Sequence, residues 1–268
     1  IAAAYFLARG GVETTIFERE EKLGGVPRYV IPAFRISDEA LDKDVALMER
    51  LGVEVKCGAP APSVAELKKL GYTHILLATG AWQAGELGIP GNVRGVIAWM
   101  KEMKQQVKPC LEGHVVVVGA GNTAMDAARV AKRMGAASST IVYRRTKKEM
   151  PADEHELKLA IDEGVNLVEL AAPVEQKDGR LICNQMKLGE PDASGRRSPV
   201  ATGETFEIPC DLVLSAIGEK VDAKLMAENG IEMGRKGPAF QTNVENVWSA
   251  GDAHRGPDVF DVGLRSEE

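Results

Sequence analysis

The chain has 268 residues, 44% of them hydrophobic, and a formal net charge of −6. That length suits one large or two medium domains, and the acidic balance argues against a nucleic acid or an anionic membrane surface as partner. No apolar run approaches the roughly 20 residues that span a bilayer. The four cysteines (Cys57, Cys110, Cys183, Cys210) are scattered without a CxxC, which suggests a reducing, cytoplasmic setting with idle thiols and fails as a zinc or iron–sulfur ligand set.

The opening stretch, IAAAYFLARGGVETTIFERE, reads as a helix, a turn at Gly10-Gly11 and a short strand ending at Glu18. Asp38 to Leu51 has the pattern of an amphipathic helix, with Leu41, Val45, Leu47, Met48 and Leu51 expected on one side. Val53 to Cys57 reads as a strand and Val64 to Leu70 as a short helix. His74 to Ala81 is a buried strand that closes on Thr79-Gly80. Val96 to Gln106 is expected to be helical, followed by a linker at Pro109.

The mid-chain stretch HVVVVGAGNTAMDAARVAKRMG carries the most chemistry. Val115 to Val118 form an apolar β-branched run, the signature of a buried parallel strand. Gly119-Ala120-Gly121-Asn122-Thr123-Ala124 follows as G-x-G-x-x-A, then a helix that ends near Gly135, then a strand from Thr140 to Tyr143. A lone glycine pattern is weak, but between a strand and a helix it marks a dinucleotide site. Gly119 permits the tight turn, Gly121 lets a pyrophosphate approach the backbone, and Ala124 keeps helix and sheet close. The helix N-terminus then offers its partial positive charge to the phosphates.

Further on, Glu154 to Glu163 reads as a helix, and Gly189 to Gly195 as a solvated hairpin excursion. Leu212 to Gly218 and Val247 to Asp252 are strands that end on small residues. In the second, Gly251 leaves room for a ligand and Asp252 can bind a polyol hydroxyl; alone, the pair reads better as an Asp-capped turn.

The opening stretch echoes the middle one. Arg9-Gly10-Gly11 falls on Arg133-Met134-Gly135, and Ile16-Phe17-Glu18 falls on Val142-Tyr143-Arg144 after a two-residue length change. On this alignment the strand and glycine loop of the first copy are expected to lie outside this sequence. The copies differ at the ribose-reading position. Glu18 suits an adenosine with free ribose hydroxyls, whereas Arg144 and Arg145 suit a 2′-phosphate. The plainer alternatives are a solvated strand-end acid and an ordinary basic turn.

Taken in order, Glu18, Leu23-Gly24-Gly25, Ile31 to Arg35, Ala78-Thr79-Gly80, Gly119 to Asp126, Tyr143-Arg144-Arg145, Met150-Pro151-Ala152, Ala216-Ile217-Gly218 and Gly251-Asp252 resemble the two-dinucleotide flavoproteins. The likeness is to glutamate synthase small subunit, the matching domains of dihydropyrimidine dehydrogenase and the selenate-reductase-associated oxidoreductases. The resemblance implies an α/β fold of two Rossmann-like domains, the NADPH-binding one inserted into the FAD-binding one. Residues 1–110 would form the first part of the FAD domain, 111–218 the NADPH domain, and 219–268 the returning FAD part. Glu18 would hold the FAD ribose, Gly24, Gly25 and Arg35 would line the flavin's path, Gly251 and Asp252 would sit by the ribitol and pyrophosphate, and Gly80 would let the backbone approach the cofactor. Gly119, Gly121, Asn122 and Thr123 would hold the NADPH pyrophosphate, Arg144 and Arg145 the 2′-phosphate, and Ala216 to Gly218 would lie on the nicotinamide side. Glu156 matches a recurring acid with no assigned role.

The resemblance also implies hydride transfer from NADPH to FAD, with electrons passing on to iron–sulfur centres in a missing N-terminal part or in a partner subunit. The tail from Asp258 to Glu268 departs from the pattern. A thioredoxin-reductase-type enzyme would need a redox dithiol that the chain lacks. A non-catalytic nucleotide-binding module of a larger complex is the alternative in another class. A hydrolase has no G-x-S-x-G to stand on.

Overall fold

A computed structural model describes residues 1–191, 197–232 and 240–256. The tip of the Gly189–Gly195 excursion and the Asp258–Glu268 tail lie outside the described residues. The chain divides into two compact units: residues 1–83 with 219–268, and residues 84–218 inserted between them. The fold is α/β.

The inserted unit holds β5 (Val93–Gly95), α5 (Val96–Lys104), β6 (His114–Val118), α6 (Asn122–Arg133), β7 (Ser138–Val142), α7 (Glu154–Asp162), β8 (Asn166–Val168), β9 (Ala171–Lys177), β10 (Arg180–Pro191), β11 (Arg197–Pro209) and β12 (Leu212–Ser215). Five strands make a parallel sheet in the order β5-β12-β6-β7-β8. Val115, Val116, Val117 and Val118 of β6 are all buried at its centre, as a strand covered on both faces requires. On α6 the small residues Ala124, Ala127, Ala128 and Ala131 are fully buried, and the Ser139 hydroxyl donates to Ala128 O at 2.9 Å. Small side chains here let the helix lie close to the strands. A second, antiparallel sheet, β11-β10-β9, packs Leu181, Cys183 and Ile208 against Val116, Val118, Val142 and Val213.

That antiparallel sheet was legible only as one hairpin excursion. Burial pushes the Cys183 thiol up to about 11 and the Cys210 thiol up to about 12, so both stay protonated packing groups. The first crossing into this unit also differs from the sequence reading, falling at residue 83/84 rather than 110/111. The cause is pairing: Val93 and Gly95 of β5 sit in parallel register with Val213 and Ser215 of β12. Trp99 and Met100 of α5 are buried with them.

The outer unit holds α1 (Ala2–Arg9), β1 (Thr15–Phe17), α2 (Gly25–Tyr29), α3 (Asp38–Glu49), β2 (Glu54–Lys56), α4 (Val64–Lys69), β3 (Ile75–Leu77) and then β4 (Gln83–Ala84), at whose start it ends; it resumes with β13 (Glu219–Lys220), α8 (Ala223–Glu228), β14 (Val247–Ser249) and α9 (Asp252–Arg255). Parallel pairs join β1 to β2 and β3 to β14. The echo between the two units is physical. Gly10, Gly11 and Val12 donate to Phe6, Ala8 and Leu7, and the same three bonds recur from Met134, Gly135 and Ala136 to Val130, Lys132 and Ala131. Gly11 and Gly135 both take the left-handed conformation that ends a helix, at φ 79° and 100°. On α3, Leu41 and Met48 are buried, but Leu47 and Leu51 are exposed. Spacing of three and four residues joins Leu41, Val45 and Met48 into a stripe and turns Leu47 away, while Leu51 lies past the end of the helix.

An ion cluster ties α6 to α7. Arg129, buried, donates to Glu163 through Nε at 3.1 Å and through a terminal nitrogen at 2.6 Å, while Arg133 donates to the same carboxylate at 2.9 and 2.7 Å. Glu156 stands 3.8 Å from Arg129, so this acid has a structural partner. The two guanidinium groups hold the Glu163 carboxyl down at about 2. The depressed value means that the stabilisation is whole above the ordinary carboxylate range and lost as pH falls from about 4.5 toward 2. Arg129→Ala should lower the unfolding free energy by about 2–4 kcal/mol at neutral pH and flatten the acid limb of the stability curve. An unchanged acid limb would show that the cluster does not contribute.

Candidate dinucleotide sites

In the inserted unit the site begins where β6 stops. Gly119 has φ 145°, and a Cβ there would lie 2.2 Å from the carbonyl oxygen of Ala216. Ala216 in turn donates its N–H to Val118 O at 2.9 Å, so only glycine lets the ends of β6 and β12 meet. Gly121 is different in kind. It precedes α6 with an extended backbone, and a Cβ there would meet nothing within 4 Å. The first N–H groups of α6, at Asn122 and Thr123, have no intrahelical partner, and among the described residues no side chain caps them. An open face in front of an uncapped 12-residue helix is a cradle for a phosphate.

The segment after β7 folds back toward this loop. Tyr143 donates its hydroxyl to Glu149 O at 2.7 Å, and Thr146 and Glu149 cap one another through a short 3-10 turn. Ala152 N–H then reaches Ala120 O at 3.0 Å. This explains Met150-Pro151-Ala152: the stretch closes the segment against the glycine loop. The structure separates the two arginines. Arg144 is exposed, but Arg145 is buried and its Nε donates to Arg197 O in β11 at 3.2 Å. Lys147 and Lys148, also exposed, lie in the same segment; sequence reasoning passed over them, though their place two residues beyond the arginines was visible. At the end of β12, Ala216 is buried, Ile217 is exposed and Gly218 takes φ 108°.

In the outer unit Glu18 follows β1, is half-buried, and accepts the Glu20 N–H at 2.9 Å through one carboxylate oxygen. Gly24 has φ 130°, and a Cβ there would press to 2.8 Å on Arg28 Cβ. Arg28 is the buried anchor that sequence reading missed, donating to Leu23 O and, at 2.6 Å, to Asp42. It shapes the Leu23-Gly24-Gly25 turn from which α2 starts. Arg35 is half-buried and lies over the Phe34 ring at 5.8 Å.

Leu77 and Ser249 are in register, so Gly80 (φ 69°) and Gly251 (φ 59°) leave the same end of the β3–β14 pair. A Cβ at Gly251 would meet nothing, and Asp252 opens α9 beside it. After β3 the buried Thr79 hydroxyl has no hydrogen-bond partner among the described residues, an orphaned polar atom of the kind a bound group satisfies. Trp82 carries the Arg19 guanidinium over its ring at 4.8 Å. The unpaired Thr79 hydroxyl and the open backbone at Gly251 fit a polar group. Among the described residues no cluster of His, Cys, Asp and Glu could hold a metal.

A parallel sheet with a glycine loop and an uncapped helix at its switch point defines a dinucleotide-binding protein of the Rossmann-like class. Residues 1–266 match the model of pyridine nucleotide-disulphide oxidoreductases, and the chain belongs to that family. It is 39% identical to the putative oxidoreductase YgfK of Escherichia coli K12, covering 96% of this chain and 26% of that protein. It is 36% identical to the NADP(+)-dependent formate dehydrogenase subunit beta of Moorella thermoacetica (94% and 38% covered) and 32% identical to the glutamate synthase [NADPH] small chain of Halomonas elongata (97% and 61%). The chain thus spans between a quarter and three-fifths of the length of these relatives. The fold matches Mycobacterium tuberculosis FprA in complex with NADPH at a TM-score of 0.81 and 18% identity, covering 99% of this chain and 79% of that one. Lactococcus lactis thioredoxin reductase matches at 0.72 and 19%, with 99% and 90% covered.

The two loop glycines should separate in experiment. Gly119→Ala should lower stability by about 2–4 kcal/mol, since both φ and the Ala216 carbonyl oppose a side chain. Gly121→Ala should leave the melting temperature nearly unchanged and weaken a titrated dinucleotide at least about tenfold, an affinity loss of ~1.4 kcal/mol. Equal melting temperatures for the two variants would refute the assignment of their roles.

Proposed function

We propose that the chain is the nucleotide-handling part of an NADPH-dependent flavoprotein oxidoreductase. In this reading the inserted unit binds NADPH, the outer unit takes part in binding FAD, and in the whole protein a hydride passes from NADPH to FAD. The open backbone at Gly121 before the uncapped N-terminus of α6 carries the reading. The hydride chemistry belongs to the two cofactors; the protein supplies binding and orientation. Gly119 sets the loop, Gly121, Asn122 and Thr123 take the pyrophosphate, and exposed Arg144 takes the 2′-phosphate. Arg145 acts behind it by holding the segment to β11 through Arg197 O. In the outer unit Glu18 takes the FAD ribose, with Gly24, Gly25, Arg35, Gly80, Gly251 and Asp252 around the rest of that cofactor.

Two relatives are named as beta subunits, of NADP(+)-dependent formate dehydrogenase and of NADPH-Fe(3+) oxidoreductase. That supports a partner subunit, and we assign the onward path to iron–sulfur centres there or elsewhere in the whole protein. No described helix is long and apolar enough to cross a membrane, and we place the protein in the cytoplasm, where its thiols stay reduced.

Titration with NADPH and NADH tests the nucleotide assignment. NADPH should bind at least about tenfold more tightly, a margin of ~1.4 kcal/mol, because a guanidinium matches phosphate geometry. Arg144→Ala should remove that margin and leave NADH affinity within about twofold. A preference for NADH, or equal losses for both nucleotides, would contradict the assignment.

A further inference from the structure

Asn229 joins two helix ends that the sequence keeps far apart. α8 has six residues, and its buried side chain, Met226, packs with Val64, Leu67, Ile75 and Val247. Where α8 stops, the Asn229 amide takes two partners. Its Oδ1 accepts the Val64 N–H at 2.7 Å, and its Nδ2 donates to Leu225 O at 2.8 Å. The first is an orphan donor at the start of α4, and the second is a carbonyl in the last turn of α8. The Val64 bond spans 165 positions, so one side chain ties the returning part of the outer unit to its first part.

The same residue carries a latent reaction. Asn229 is followed by Gly230, and no other asparagine of the sequence is followed by glycine. Glycine has no Cβ to screen its backbone nitrogen. That nitrogen can lose its proton to water and attack Asn229 Cγ. An N–Cγ bond forms, the Cγ–Nδ2 bond breaks, and ammonia leaves. Water then opens the cyclic imide at either carbonyl, giving aspartate or an isoaspartate whose main chain runs through the side-chain carbons. The sequence of steps needs no oxidant and no reactant but water. Gly230 is exposed, so water reaches it.

The fold engages both reacting groups elsewhere. Gly230 N–H is donated to Ala227 O at 3.0 Å, while Val64 and Leu225 hold the two ends of the amide. Ring closure requires these bonds to be given up, which happens when α8 and the turn after it open. A helix of six residues stands at the low end of local stability. We propose that Asn229-Gly230 is a modification site guarded by its own latch. The closed latch suppresses imide formation. Imide formation destroys the latch, because it removes the Nδ2 donor, and the isoaspartyl link carries the main chain away from Val64. The site thereby turns a transient opening of the outer unit into a permanent covalent change.

The experiment incubates the whole chain in heavy-oxygen water at fixed pH, folded and in denaturant, and follows Asn229 by peptide mass spectrometry. The denatured chain should convert at Asn229 ahead of its other asparagines, and the folded chain should convert there at least about tenfold more slowly. Asp222→Ala removes the carboxylate that accepts the Lys224 and Leu225 N–H groups and leaves Asn229-Gly230 untouched. Losing that cap should speed conversion in the folded chain about fivefold. In the separated isoaspartyl product the Val64 amide should exchange hydrogen faster than in the unconverted chain. No conversion at Asn229 in the denatured chain would overturn the site. Equal rates folded and denatured, or a rate indifferent to Asp222→Ala, would overturn the guard, and unchanged exchange at Val64 would overturn the latch.

Discussion

A side chain at Gly119 would collide with the carbonyl oxygen of Ala216. Everything at the nucleotide end of the inserted unit depends on that contact. Because the backbone of Gly119 can sit against Ala216, β6 and β12 finish side by side and α6 starts directly from the loop. The loop then faces outward at Gly121, where the backbone is open. One glycine is spent on internal packing and the other on access, and the two roles require the same residue type for opposite reasons.

The charges are arranged around this frame with the same economy. The buried arginines are structural: Arg129 joins two helices through Glu163, Arg28 sets the turn at Gly24, and Arg145 ties the segment after β7 to the antiparallel sheet. A buried guanidinium has to be paired, because an unpaired charge out of water costs several kcal/mol. Arg144 is exposed and free of that demand, and the proposed reading gives it the 2′-phosphate. Neighbouring arginines in a sequence therefore need not share a task.

Much of this was legible in the sequence because it rests on local pattern. Four consecutive valines, a glycine loop and an alanine-rich helix specify strand, turn and helix without any long-range information. The echo of the opening stretch was visible too, and its helix-end hydrogen bonds recur in both copies. What escaped was non-local. The antiparallel sheet β9-β10-β11 depends on pairings between segments that have no strong alternation. The start of the compact inserted unit at residue 84 was not visible because β5 is three residues long and is recruited by β12, more than a hundred positions away. The fate of Arg145 was decided by a carbonyl in β11, and Thr79 looked like an ordinary small residue until its hydroxyl proved buried without a partner.

The central claim is that the start of α6 receives the phosphates of a dinucleotide. Amide hydrogen exchange with and without NADPH tests it residue by residue. The account predicts that the amides of Gly121, Asn122 and Thr123 and of the segment after β7 become protected on binding. Exchange at these positions that NADPH leaves unchanged, under conditions where binding is saturated, would contradict it.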